Sequence, residues 1–376
     1  MSRPVRARDL GIELPGNTGP HNGITDVPGV EVGYTTLIDG DGPLRVGSGP
    51  VRTGVTALLP RGKDGVGTAC AAGWYSLNGN GEMTGTTWLT ETGSLDTPVL
   101  ITNTHAVGPC HRGVIDWIVE HKPAMATEWL LPVVAETWDG YLNDINGPHV
   151  RPEHAVRAID TAAGGPIAEG SVGGGTGMNC YAFKGGSGTA SRVVQYGQYS
   201  YTVGAFVQAN FGARRELTVT GTPVGNALAA DNPLEEADST PPPGSGSVIV
   251  VLGTDAPLLP NQCTALARRV PLGLARTGTT GSHFSGDIFL AFSTANAGAL
   301  NSSSPRGEPR AGDYDVLRFI PWGRMDPYYR AVVEVVEEAV LNALVAGETM
   351  VGRDDHRSPG LPHDDLVRLL RRQQTG

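Results

Sequence analysis

Pro241-Pro242-Pro243-Gly244-Ser245-Gly246-Ser247 runs directly into Val248-Ile249-Val250-Val251-Leu252. Prolines and glycines extend neither a helix nor a central strand, whereas five consecutive aliphatic residues predict a strand buried on both faces. Ser247 therefore stands where a connector meets a rigid strand. A hydroxyl there can attack the Gly246 carbonyl just before it, shift the chain from nitrogen to oxygen, and let water release a new N-terminus at Ser247. The freed α-amine titrates at about 7.7–8.0, close to the working pH of a general base, so one residue supplies both nucleophile and base. The plainer alternative is Gly-Ser as loop punctuation before a strand.

The stretches on either side carry longer patterns. Gly246-Ser247-Val248-Ile249-Val250-Val251, then Arg268-Arg269-Val270-Pro271-Leu272-Gly273-Leu274-Ala275-Arg276-Thr277-Gly278, then Ser285-Gly286-Asp287-Ile288-Phe289-Leu290-Ala291-Phe292-Ser293-Thr294 resemble the L-aminopeptidase/D-esterase family, which includes the β-peptidyl aminopeptidases. Asn22-Gly23-Ile24-Thr25-Asp26-Val27-Pro28-Gly29-Val30 and Gly173-Gly174-Gly175-Thr176-Gly177-Met178 are similar to the same family, so the likeness spans most of the chain. It implies an α+β fold, a four-layer αββα sandwich of the N-terminal-nucleophile type. The chain would cut itself between Gly246 and Ser247 into a larger part, 1–246, and a smaller one, 247–376, that remain one domain. The residues alone establish only interleaved strands and helices.

Composition narrows the function classes. With 53 glycines and 28 prolines the chain predicts many tight turns and close backbone approaches. Hydrophobic residues make up 39% and charged ones 18%, and no apolar run approaches the ~18 residues of a spanning helix, which excludes a disordered polymer and a helical membrane protein. A net charge of −10 argues against nucleic acid and favours amine-bearing small ligands. Cys70, Cys110, Cys180 and Cys263 lie far apart, which predicts buried free thiols with neither a disulfide framework nor a zinc site. The basic N-terminus lacks the apolar core of a secretory signal, and a cytoplasmic protein without metal or cofactor is expected.

In chain order, Ile24 to Val27, Val30 to Val32, Val55 to Leu59 and Val99 to Thr102 read as strands, and Leu77 to Gly93, dense in Asn, Gly and Thr, as a loop near one face. Val114, Ile115, Trp117, Ile118 and His121 share the face of a helix ending at Pro123. Trp129 to Ala135, with Pro132 inside, predicts a bulged or edge strand that delivers Glu136, Trp138 and Tyr141 to its end. Glu153 to Ala163 reads as a helix, Gly170 to Gly177 as a close-packed glycine turn, and Ser191 to Gln208 as a hairpin ending at Asn210. Asp231 to Gly246 reads as an exposed linker. A helix from Leu259 should stop at Pro271, Ile288 to Phe292 forms a second buried strand, and Asp326 caps a long helix over 328–346. A last helix runs from Asp365 to Arg372.

By resemblance, Ser285 and Asp287 take the positions of a catalytic serine and an acidic partner two residues on. Such spacing in a strand points both to one side, able to face Ser247 if the strands are neighbours. Asn210 takes the place of a donor to the carbonyl oxygen under attack, and Glu136 that of a carboxylate holding the substrate ammonium beside an aromatic residue, Trp138 or Tyr141. His283 has no counterpart in the family and reads as loop. Arg353-Asp354-Asp355-His356 and His363-Asp364-Asp365 read as loop charges and a helix cap rather than a metal site. The expected partners are short peptides, amino-acid amides or esters with a free amine, and a tetramer of cut protomers is what the family suggests. The rival expectations are an acyltransferase related to ornithine acetyltransferase, which uses threonine in this position, and an uncut glycine-rich ligand-binding protein.

Overall fold

The computed structural model describes residues 5–236, 246–302, 304 and 307–374. Two sheets face each other. The first holds β1 (Glu31–Asp39), β2 (Val51–Leu59), β5 (Val99–Asn103) and β6 (Val133–Thr137) in that order. The second holds β3 (Cys70–Ser76), β4 (Ser94–Leu95), β9 (Gly186–Tyr196), β10 (Tyr199–Asn210), β13 (Gly246–Thr254) and β14 (Ser285–Ser293), ordered β4-β3-β14-β13-β10-β9. Three small ladders lie outside them among the described residues: β7 (Asn179–Cys180) with β8 (Phe183–Lys184), β11 (Thr218–Val219) with β12 (Thr222–Pro223), and β15 (Met350–Val351) with β16 (Arg357–Ser358).

Strand alternation builds three cores and hence four layers. On β13, Ile249 and Val251 enter the core between the sheets with Phe206, Ile288, Leu290 and, from the first sheet, Leu58, Ile101 and Ala135. Val248, Val250 and Leu252 point the other way, against α5 (Pro260–Ala267), α6 (Val270–Arg276) and α7 (Asp326–Val345). The outer face of the first sheet is covered by α2 (Val107–His121) and α3 (Pro152–Asp160) through Val114, Trp117, Ile118, Ala155 and Ile159. This is the αββα sandwich, and it explains why β13 is apolar without alternation: helices cover one face and a second sheet the other.

Helix α7 is buried along most of its length, charged residues included. Glu338 accepts hydrogen bonds from Arg8 (2.7 Å), Arg192 (2.6 Å) and Asn22 (2.6 Å), which hold its carboxyl below the ordinary range despite burial. The helix lies so close to β9 that a Cβ at Gly188 would stand 2.1 Å from the Ala339 carbonyl oxygen.

Several local expectations change. Ile24–Asp26 is a 3-10 turn rather than a strand, closed by the Asp26 carboxylate, which accepts from the Gly23 (3.1 Å) and His21 (2.9 Å) amides. The Leu77–Gly93 stretch contains helix α1 (Thr86–Thr92). Pro271 does not end a helix: α5 stops at Ala267, and Pro271 sits in the first turn of α6, where its missing N–H costs nothing. Strand β6 begins just after Pro132 and is an edge strand. Met325 rather than Asp326 occupies the cap of α7, and the last helix, α8 (His363–Gln374), starts two residues early. The beginning of the linker is anchored: α4 (Pro233–Glu236) follows Asp231, which pairs with Arg357, and Glu235 accepts from the Arg214 amide at 3.0 Å. Residues 237–245, the rest of the linker, lie outside the described residues.

Gly188→Ala should force α7 away from the sheet and destabilise the fold by about 1–3 kcal/mol, seen as a lower denaturation midpoint with the same substitution tolerated at Gly79, where a Cβ meets nothing within 4 Å.

Candidate active site

Ser247 is the second residue of β13 and is flanked on both sides by strand partners. It pairs with Asn210 of β10 in antiparallel register and with Gly286 of β14 in parallel register. Its parity is that of Ile249 and Val251, so its side chain enters the space between the sheets, where it is 2% exposed. From the opposite sheet, the N–H of Trp138, the first residue past β6, donates to the Ser247 hydroxyl oxygen at 3.2 Å. Asn210 closes the arrangement. Its Nδ2 donates to the Trp138 carbonyl at 2.9 Å, and its Oδ1 accepts from the Asn179 amide at 2.8 Å. One proton of the Asn210 amide is thus engaged, and the other has no acceptor among the described residues. The residue before Ser247 has to be glycine, because a Cβ at Gly246 would lie 2.0 Å from the Asn210 carbonyl oxygen.

Ser285 and Asp287 do share one side of β14, and β14 is the neighbour of β13. The register nevertheless corrects the expectation that they face the Ser247 side chain. Gly246 pairs with Ser285 and Val248 with Asp287, so both carry the parity of Phe289 and Ala291, which face the helical layer, opposite to Ser247. They stand beside the Gly246–Val248 backbone, and the Val248 amide is among the groups that draw the Asp287 carboxyl toward ionisation. The Ser285 hydroxyl donates to Asp287 Oδ1 at 2.5 Å, and Asn78 holds the same residue twice, Nδ2 donating to Oδ2 at 2.9 Å and Oδ1 accepting from the Asp287 amide at 2.7 Å. Burial raises the Asp287 pKa, and the Ser285 and Asn78 donors oppose that rise.

Glu136 lies at the end of β6, 2% exposed. Its Oε1 accepts from the Glu82 amide at 2.9 Å and its Oε2 from the Thr104 hydroxyl, while burial pushes its pKa up against these donors. It borders Ser247 through Gly81. A Cβ there would meet Gly286 Cα, opposite Ser247, at 2.8 Å and Glu136 Oε1 at 3.4 Å. Of the two aromatic candidates, Trp138 touches Ser247 through its backbone. Tyr141 turns elsewhere, its ring stacked on His356 (centroids 4.7 Å apart) and its hydroxyl donating to the Arg357 carbonyl at 3.4 Å. His283 is exposed and packs only edge-on against Phe284. Asp354 accepts from the Leu44 amide at 2.8 Å, and His363 contacts the Val345 carbonyl at 3.0 Å, as loop and cap residues do.

Asn78, Thr104 and Asn179 were not singled out from the sequence. For Asn78 the signal was the Asn-rich Leu77–Gly93 stretch; for Asn179 and Trp138 the working group is a backbone amide, which any residue but proline carries.

A family model for peptidase family S58 matches residues 22–358. The chain belongs to this family. Among curated proteins, the chain is similar to the beta-peptidyl aminopeptidase BapA of Sphingosinicella microcystinivorans, 50% identical over 98% of this chain and 92% of the relative, and to BapA of Sphingosinicella xenopeptidilytica, 44% identical over 97% and 91%. Among solved structures it is similar to the L-aminopeptidase D-Ala-esterase/amidase of Ochrobactrum anthropi, described as a variant of the Ntn hydrolase fold. That match has a TM-score of 0.90 and 44% identity over 98% of this chain and 99% of that one. A Burkholderia sp. beta-aminopeptidase matches with a TM-score of 0.86 and 45% identity over the same shares. The S58 chain is therefore a hydrolase of the aminopeptidase class with an Ntn-type fold. Among the described residues no helix is long and apolar enough to cross a membrane.

In this S58 peptidase the residue after Trp138 is also unusual. Asp139 is fully buried, and burial pushes its carboxyl up to about 7, against hydrogen bonds from Thr53, Asn143 and Asn103 that lower it. The folded chain holds this proton more tightly than the unfolded one, so the contribution of Asp139 to stability falls as pH rises from the ordinary carboxylate range to about 7. Asp139→Asn should remove that slope: the denaturation midpoint of the variant, followed from about pH 5 to about pH 8, should fall less with pH than that of the parent chain.

Proposed function

We propose that the chain is a self-processing serine aminopeptidase whose nucleophile and base are the hydroxyl and freed α-amine of Ser247. In the first event Ser247 Oγ attacks the Gly246 carbonyl carbon, the C–N bond to Ser247 breaks, and an ester forms. Water then cleaves the ester, leaving a Gly246 carboxylate and a Ser247 ammonium, with 1–246 and 247–376 as the two parts. The observation that carries this reading is the hydroxyl of Ser247, buried at the head of β13 and in contact with the Trp138 amide, whose carbonyl is bonded to the Asn210 side chain.

In turnover, Ser247 attacks the first carbonyl of a substrate, and its proton passes to the α-amine or toward Ser285. The Asn210 amide donates to the developing oxyanion, the larger electrostatic term in such reactions. The position of Ser285 and Asp287 beside the Ser247 backbone supports a role at the α-amine: a carboxylate bonded to Ser285 orients the hydroxyl that receives or returns that proton. The leaving amine takes the proton, and water then attacks the acyl-enzyme and regenerates the hydroxyl. Glu136 accepts the ammonium of the substrate, with Trp138 as the aromatic neighbour. The substrates are short peptides, amides or esters with a free amine, in keeping with the names of the similar enzymes. From the family resemblance we infer a tetramer of cut protomers working without a cofactor, and from the N-terminal composition a cytoplasmic location.

Ser247→Ala should leave one full-length band on a denaturing gel and lower kcat/KM on an aminoacyl p-nitroanilide by ~10³-fold or more; a variant that still splits and turns over rejects the assignment. Asn78→Ala takes away a donor that holds the Asp287 carboxyl down. The acid limb of the pH–rate profile should then move to higher pH, and an unmoved limb would separate Asp287 from the titrating step.

A further inference from the structure

Lys184 is the last residue of β8 and is fully buried. Among the described residues it pairs with no carboxylate. Its Nζ instead donates to three backbone carbonyls, those of Met178 (2.9 Å), Gly185 (2.9 Å) and Gly175 (3.4 Å). Burial pushes its pKa down to about 7, so the charge carries a desolvation cost that an apolar side chain would avoid. The hairpin around it is tight: Tyr181 and Ala182 both turn at positive φ (52° and 55°), and Lys184 is the cross-strand partner of Asn179.

The Met178 carbonyl and the Asn179 N–H belong to one peptide group. The oxygen of that group accepts from the Lys184 ammonium, and its N–H donates to Asn210 Oδ1 at 2.8 Å. Asn210 carries the chain onward through its own conjugated amide, whose Nδ2 reaches the Trp138 carbonyl at 2.9 Å. Each amide in such a series is polarised by the one before it. A cation at one end therefore strengthens the N–H donors at the other, most of all where water is absent. We propose that Lys184 is a positioning residue for hydrolysis, acting through the Met178–Asn179 peptide to orient and polarise the Asn210 amide that receives the oxyanion. The proposal rests on the assignment of Asn210 given above.

The test is a double-mutant cycle on the full chain with an aminoacyl p-nitroanilide as substrate, kcat being read per cut protomer. Where cutting is incomplete, the rate of chain cutting gives the same comparison. Asn210→Ala should lower kcat by ~10²-fold or more. Lys184→Met should lower kcat by about tenfold with KM within about twofold, yet change it by less than about twofold in the Asn210→Ala background, since the lysine then has nothing to act through. Equal losses in both backgrounds, or none in either, would overturn the proposal. An Asn210→Ala enzyme with undiminished kcat would instead overturn the reading of Asn210. Lys184→Gln, which keeps two N–H donors without the charge, serves if the methionine variant does not fold and should show the same dependence on Asn210. If neither variant gives a cooperative melt, Lys184 is a determinant of the fold and the positioning role is rejected.

Discussion

The double pairing of Ser247, with Asn210 on one side and Gly286 on the other, is the constraint from which the rest of the site follows. Strand β13 lies in the middle of the six-stranded sheet, so its position along both neighbours is set by every ladder bond further down. A slip of one residue would carry Ser247 from the intersheet space to the helical side and put Val248 in its place. The apolar run behind the serine, divided between two cores, makes that slip costly. The Ser247 hydroxyl is thereby held in place by the burial of apolar residues.

The pleat then divides the labour across the sheet. The Ser247 hydroxyl, the Asn210 amide, the Trp138 amide and the Gly81–Glu136 wall meet between the sheets. Ser285, Asp287 and Asn78 gather on the other face, beside the backbone that would become the α-amine. On the proposed reading, in which Ser247 is both nucleophile and base, the two faces of β13 give its side chain and its backbone different neighbours. Further back, Lys184 and its carbonyl cage brace the peptide that holds Asn210.

Much of this was legible in the residues. The apolar stretch 248–252 is visible as a run, and the helices around Val114 and Ile159 as spacings, because periodicity reports which face is buried; Ser285 and Asp287 are singled out only by the family resemblance. The break between α5 and α6 is not legible. A proline reads as a stop, although it is equally at home in a first turn, and only packing against α7 distinguishes the two. The turn at Ile24 reads as a strand in the sequence because Asp26 closes it with bonds to backbone amides that no pattern of apolar residues records.

Chain order by itself puts a hydroxyl after glycine at the head of a buried strand, an asparagine at the end of a hairpin and a glutamate at the end of an edge strand, and the family resemblance alone attaches roles to them. Those features follow from covalent neighbours and local propensity. Which side of β14 the Ser285–Asp287 pair would take followed from the parallel register with β13. That Trp138 rather than Tyr141 meets Ser247 followed from how the two sheets are stacked. Both outcomes arise from contacts between segments far apart in the chain, formed by backbone groups that every residue possesses, and only the folded arrangement assigns partners to them.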